Sequence, residues 1–254
     1  MVCESGSSAE MAAKPRDAAT LILLRDSDRP SDGIEVLLLQ RHARSAFLPG
    51  VHVFPGGVVE ETDFAPEVGA FCQGVSFDQA HRIIKDVSPP ERSLGFFVSA
   101  IRETFEESGI LLAHGNGSQR SIDKRQMMQL GGYRAKVHAD PSSFVSWLGD
   151  EGLKLATDTL FYFGHWITPE VLPIRFDARF FVAAAPADQE ASADGKETVE
   201  ARWISPQDAL KDHRKGRLKL APPTFHSLSD LAEFRTVAGA IASTHGKRVE
   251  TRHG

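Results

Sequence analysis

Apolar residues recur along this chain in two rhythms. Runs of strand length at residues 18–25 and 34–40 are apolar almost throughout, and the Asp-, Ser-, Pro- and Gly-rich stretch 26–33 between them predicts a hairpin connection. A loop over residues 42–50 delivers the chain to a short strand at 52–54. Segments rich in Phe, Tyr, Trp and Val predict strands at 158–167, 177–185 and 198–204, with another at 110–113. Elsewhere the spacing is helical: 77–87, 121–137, 141–147 and 229–242, and a longer helix running from near Pro89 to Gly109. Local chemistry marks several ends. Ser88 and Glu91 form a capping-box pattern around Pro89, and Gly109 suits a helix stop. Asp140 precedes Pro141 at the next start, and Ser205-Pro206-Gln207-Asp208 opens another helix. Interleaved strands and helices predict an α/β chain whose mixed sheet is covered on both faces.

Composition narrows this picture. With 254 residues, 41% of them hydrophobic and 25% charged, the chain can bury a sizeable core, and no repeat or low-complexity tract divides it. We expect a single domain over 18–245, a small polar N-terminal tail over 1–17 and a C-terminal tail over 246–254. A net charge of −5 argues against a broad surface for nucleic acid or anionic membrane. Two cysteines, Cys3 and Cys72, are too few for a disulfide framework or a cysteine zinc site. No apolar run reaches the roughly eighteen residues of a membrane span. Residues 1–17 lack the apolar core of a signal peptide, and the C-terminus is not of the S-K-L type. The expected location is therefore cytoplasmic.

The long helix carries the chemistry. Leu94, Val98, Ile101 and Phe105 fall on one stripe, while Glu103, Glu106 and Glu107 project from the opposite side, with Glu103 and Glu107 one turn apart. Like charges at that spacing destabilise a helix by roughly 0.2–0.5 kcal/mol per pair. Oxygen ligands grouped in this way suit a hard cation such as Mg²⁺ or Mn²⁺. For E-x-x-E-E alone, a solvated acidic face is the stronger reading. The stretch Val53-Phe54-Pro55-Gly56-Gly57-Val58-Val59-Glu60 changes the balance, because a Gly-Gly turn lets backbone lie close to a ligand.

Together, G-G-x5-acid and R-E-x-x-E-E-x-G-hydrophobic resemble the Nudix box, the signature of hydrolases that cleave nucleoside diphosphates linked to another moiety. Asp63 stands where the box has Glu, with Glu60 and Glu61 as neighbouring alternatives, and about thirty extra residues, 64–90, separate it from Arg102. Such an interrupted box resembles the Nudix branch that includes the peroxisomal coenzyme A diphosphatase of animals. The likeness extends through Leu37–Gly57, Arg175–Phe181 and Leu220–Phe225. It implies a Nudix α/β/α sandwich, with the insertion and extra helices added. It also implies a metal site of Glu103, Glu106 and Glu107, joined by the Gly56 carbonyl and by an acid from outside the box, Glu197 or Glu200. Glu103 is implied as a ligand or the activator of water, Glu106 as catalytic, and Arg102 as the residue that holds the loop.

Arg175, Asp177 and Arg179 alternate and so share one strand face, where two arginines could grip phosphate. A surface Arg–Asp–Arg ladder is the plainer alternative. Arg41 and Arg44 are further substrate candidates, resembling a signature upstream of the box in coenzyme A-cleaving relatives. The histidines show no metal-binding spacing and receive no role. Long insertions at an active-site rim are usually functional, so residues 64–88 are expected to form part of the substrate pocket.

The expected reaction is metal-dependent cleavage of coenzyme A or acyl-coenzyme A to 3′,5′-ADP and a 4′-phosphopantetheine product. Alternatives are hydrolysis of ADP-ribose, NADH or a dinucleotide, or a non-catalytic Nudix-fold ligand sensor, which loss of the box acids would favour. The expected partner is a small nucleotide, not nucleic acid or membrane, with a homodimer left open.

Overall fold

A computed structural model of the protein describes residues 13–28, 33–115, 118 and 121–253. The tail expected over 1–17 lies outside the described residues up to position 12, as do residues 29–32 of the hairpin connection. Two long strands begin the fold, β1 (Arg16–Asp26) and β2 (Ile34–Arg41), paired antiparallel with Asp26 opposite Ile34. Two short ones follow, β3 (His52–Val53) and β4 (Gly56–Val58); β3 pairs with β2, and β4 with the first half of β1. The later strands β7 (Phe161–Ile167), β8 (Phe176–Ala184), β9 (Thr198–Ile204) and β10 (Thr251–His253) complete a mixed eight-stranded sheet. Strand β8 runs parallel to β1 from Arg16 opposite Phe176 to Leu24 opposite Ala184, and β9 lies along β2.

Both faces of the sheet are covered, which explains why the first strands read as nearly unbroken apolar runs. Ala19, Leu21, Leu23, Leu37 and Leu39 join one core with the box helix α2 (Ser93–Ser108) and with α3 (Lys124–Ala139) and α4 (Ser143–Asp150). Ile22, Leu24, Val36 and Leu38 join a second core with α5 (Pro206–Arg214), α6 (Pro222–Leu231) and α7 (Val237–Ala242). The fold is the expected α/β/α sandwich. A two-stranded sheet of β5 (Ala113–Gly115) and β6 (Leu153–Leu155) lies beside it. Among the described residues no helix is long and apolar enough to cross a membrane.

Several ends differ from expectation. The box helix begins at Ser93 after a 3-10 turn over Pro90–Arg92, and neither end is capped by a side chain, because Pro89 and not Ser88 occupies the capping position of that turn. Asp140 does not cap α4 directly; its carboxylate accepts from the Ser142 backbone N–H (3.0 Å) in a turn that precedes the helix. The helix expected at 229–242 is two helices. Thr236 caps α7 by accepting from the Gly239 N–H, and the Val237 N–H donates to Asp26 at 2.9 Å, so a partner 211 positions away breaks a continuous amphipathic pattern. The segment 246–254, expected as a tail, contributes β10, which pairs parallel to β7.

The insertion lies away from the cleft described below and supplies none of its lining. Its helix α1 (Phe77–Ile83), shorter than the expected 77–87, starts in a capping box between Ser76 and Gln79. Val68, Ala80, Ile84 and Val87 are buried in the box-helix core, and a Cβ at Gly95 would meet the Phe64 ring at 2.2 Å. The insertion is thus a wall of the core, where each large buried side chain contributes about 1.5–3 kcal/mol. Shortening residues 64–88 is expected to lower the midpoint of urea unfolding sharply; a shortened chain with wild-type stability and a raised KM would restore the rim assignment.

Candidate active site

The box helix is buried nearly all round, including two of its acids: Glu106 is 5% and Glu107 4% exposed. The acidic face is therefore an interior one, not the solvated surface that E-x-x-E-E alone suggests. Arg102, 1% exposed, organises it. Its Nε and Nη2 donate to the two oxygens of Asp63 at 2.9 and 2.8 Å, a parallel fork. Nη2 also donates to the Val58 carbonyl (3.0 Å), and Nη1 to Glu103 (2.9 Å) and Glu106 (2.7 Å). Asp63 in turn accepts from the Glu60 N–H at 2.9 Å, closing the loop. The shorter acid thus works as the arginine's partner, while Glu61 pairs instead with Arg92.

Gly56 and Gly57 lie against this helix. The Gly56 N–H donates to Glu107 Oε2 at 3.0 Å. A Cβ at Gly56 would stand 2.4 Å from the Ala19 carbonyl, and one at Gly57 would stand 2.5 Å from the Glu103 carboxyl carbon. Only glycine permits either approach. Gly57→Ala is expected to leave the fold standing and abolish turnover, because the methyl group must displace Glu103; a circular-dichroism melt beside an activity assay checks it.

These groups open onto a cleft of about 610 Å³. Gly56, Gly57, Arg102, Glu103 and Glu106 form its polar end, and Phe47, Trp166, Phe176 and Phe180 line its apolar wall. Arg41 reaches it from β2, its guanidinium donating to Ser45 Oγ (2.9 Å) and the Phe47 carbonyl (3.0 Å). Arg44 is exposed in an adjoining recess with Arg41 and Lys196.

Arg175 and Arg179 are not at the cleft. The residues of β8 that reach it are Phe176, Ala178 and Phe180, so the alternate positions face away. Arg175 donates to the Thr168 and Ala13 carbonyls, and Arg179 pairs with Asp177 and with Asp86 (2.8 Å). Both are buried structural cations, which corrects the expectation that they bind substrate. Glu200 is corrected likewise. Glu200 lies opposite Gln40 in the β2–β9 ladder and is not among the residues that line the cleft, whereas Glu197 is.

Two further residues escaped the sequence reading. His138 on α3 reaches the cleft with Nδ1 3.6 Å from Glu106 Oε2. Arg134, one turn earlier, donates from Nε to the Glu106 carbonyl (2.9 Å) and from Nη2 to the Ser192 carbonyl, bracing the end of the box helix. Neither has a local signal; each is recruited by the packing of α3 on α2.

Burial raises the pKa of all three glutamates. Glu103 is pushed up to about 8 against the opposing pull of Arg102, and Glu106 is raised with the same opposition. Glu107 is raised well above the ordinary carboxylate range, by burial first and then by Glu103. Among the described residues, no three acidic or metal-binding side chains converge as a ready cage. Mg²⁺ does not require one, since it takes one or two carboxylates together with waters and substrate phosphates. A set of carboxylate oxygens that outnumber their one cation, Arg102, with Glu103 and Glu106 at the polar end of the cleft, fits such an ion.

Residues 15–231 match the NUDT19 Nudix domain. The chain is 30% identical over 233 residues to the acyl-coenzyme A diphosphatase NUDT19 of Xenopus laevis, covering 80% of this chain and 61% of that protein. It is 28% identical to the human protein of that name, over 87% of this chain and 66% of the relative. The chain thus spans about three fifths of the length of these curated relatives. Its fold superposes on the crystal structure of a Nudix hydrolase from Alicyclobacillus acidocaldarius with a TM-score of 0.75 at 28% identity, covering 90% of this chain and 96% of that one. With the interrupted box folded around Arg102 and the match running through nearly the whole sandwich, the chain belongs to the Nudix family, in the branch of the NUDT19 Nudix domain.

Proposed function

We propose that the protein is a metal-dependent diphosphate hydrolase acting on coenzyme A or an acyl-coenzyme A, releasing 3′,5′-ADP and the corresponding 4′-phosphopantetheine. The observation that carries this reading is the buried Arg102–Asp63 fork, which holds Glu103 and Glu106 at the polar end of the cleft and Gly57 hard against Glu103. Glu103, Glu106 and Glu107 would hold Mg²⁺ or Mn²⁺, with Gly56 and Glu197 alongside. When bound, the ion lowers the pKa of water and neutralises the charge of a diphosphate under attack. Glu103 would take the proton of the attacking water, with Arg102, which donates to its carboxylate, holding it in position. The aromatic wall suits the pantetheine or acyl portion of the substrate class for which the Xenopus laevis relative is named. Assay of a panel of nucleotide diphosphate derivatives with Mg²⁺, Mn²⁺ or EDTA, with products identified by mass, tests the reading. Cleavage of ADP-ribose in preference to coenzyme A would overturn the substrate.

Coenzyme A differs from dephospho-coenzyme A only in its 3′-phosphate, a dianion that Arg41 or Arg44 would read. Losing a charge-assisted bond of about 1.5–3 kcal/mol should lower kcat/KM for dephospho-coenzyme A by roughly ten- to a hundredfold. Alanine at the responsible arginine is expected to erase that preference and leave dephospho-coenzyme A hydrolysis nearly unchanged. Equal kcat/KM for both substrates in the wild type would remove the assignment.

A further inference from the structure

A second cavity, of about 780 Å³, lies between the insertion and the C-terminal segment and shares no lining residue with the cleft. Its cationic lining comes from both sides. Arg82 and Lys85 approach from α1 and the turn after it, Lys247 and Arg248 from the segment that leads into β10. Among the described residues Arg82, Lys85 and Arg248 have no hydrogen-bond, ion-pair or ring partner, and Lys247 lies over the Phe163 ring, 5.0 Å from its centroid. All four are exposed.

The acid within the cavity does not offset them. Asp86 is engaged by Arg179 at 2.8 Å and lies 3.4 Å from His165 Nδ1. His165 is held from both ring nitrogens, by Asp177 at 2.6 Å and by Thr251 Oγ1 at 2.8 Å. That network ties β7, β8, β10 and the insertion into a fixed floor. In a chain of net charge −5, four cations around one cavity, with its one acid already paired, form a local positive field.

The rest of the lining is apolar with one polar group. Ile83, 41% exposed, and Phe161 present hydrocarbon, and the half-buried Tyr162 carries a hydroxyl without a hydrogen-bond partner among the described residues. Burial raises the pKa of that phenol, so at neutral pH it remains a hydrogen-bond donor.

We propose that this cavity is a second, non-catalytic binding site for a phosphorylated small molecule with a flat apolar body. Arg82, Lys85, Lys247 and Arg248 would grip the phosphate, and Ile83, Phe161 and the Tyr162 hydroxyl would receive the body.

Titration calorimetry on the full chain in EDTA tests this, and the double variant below separates this cavity from the cleft. The probes are 1-naphthyl phosphate and inorganic pyrophosphate. Naphthyl phosphate is expected to bind saturably and to protect amides of residues 244–251 from hydrogen exchange. The double variant Arg82→Glu/Arg248→Glu should weaken it at least about tenfold; both side chains are exposed and unpartnered, so folding is preserved, as a melt would verify. Absence of binding below about 1 mM, or equal affinity in the folded double variant, would overturn the site. Pyrophosphate binding as tightly as naphthyl phosphate would overturn the assignment of an apolar body.

Discussion

Replacing Arg102 by alanine is expected to lower the free energy of unfolding by about 3–5 kcal/mol, the cost typical of breaking a buried ion pair from one side. That is a large part of the roughly 5–15 kcal/mol by which domains are stable. The side chain is 1% exposed, and Asp63, its bidentate partner, is 2% exposed. Removal would leave Asp63 and Glu106 as buried carboxylates without their counter-charge, and the Val58 carbonyl without its donor. Lysine would restore the charge but not the fork. Arg102→Lys should therefore recover part of the stability and little of the turnover, since Glu103 and Glu106 share one arginine nitrogen. Urea unfolding with a parallel activity assay measures both. A loss below about 1 kcal/mol, the range of exposed pairs, would show that the clasp is not a buried one.

Glu107→Gln is expected to behave in the opposite way, losing turnover by about 10²–10³-fold or more while holding or gaining stability in EDTA. Glutamine keeps the shape and an acceptor for the Gly56 N–H, and it removes a charge that burial disfavours. Glu103 extends the argument to pH. Its folded pKa, about 8, lies above the ordinary 4.5, so between those values the folded chain retains a proton that the unfolded chain has released. Stability in EDTA should therefore be full below about pH 4.5 and decline as pH rises towards 8. Glu103→Gln should flatten that decline, and added Mg²⁺ should oppose it in the wild type. A wild-type melting temperature that rises from pH 5 to pH 8 in EDTA would contradict the burial of this charge. A Glu107→Gln protein with near-normal turnover would remove the metal-site assignment.

Local chemistry in the sequence alone determined what depends on neighbours along the chain. Ser205 caps its helix by accepting from the Asp208 N–H, as its spacing requires. Strand β9 occupies 198–204 as expected, and Gly109 ends the box helix in the left-handed conformation, φ 74°. The grouping of Arg102 with Glu103, Glu106 and Glu107 is likewise local, since helical pitch alone brings them together. Tertiary structure decided the sidedness. Alternation places Arg175 and Arg179 on one face of a strand, but a period of two cannot say which face meets the cleft. The register of β8 on β1 turned Phe176, Ala178 and Phe180 inward to the site and left the arginines to Asp177, Asp86 and backbone carbonyls. Position along β9 also mattered: Glu197, just before the strand, lines the cleft, whereas Glu200, within it and opposite Gln40, does not. His138 and Arg134 reached the box through helix packing, and Asp63 met Arg102 across 39 positions. Contacts at such separations depend on loop closure and on burial shared among several elements, which no window along the sequence contains.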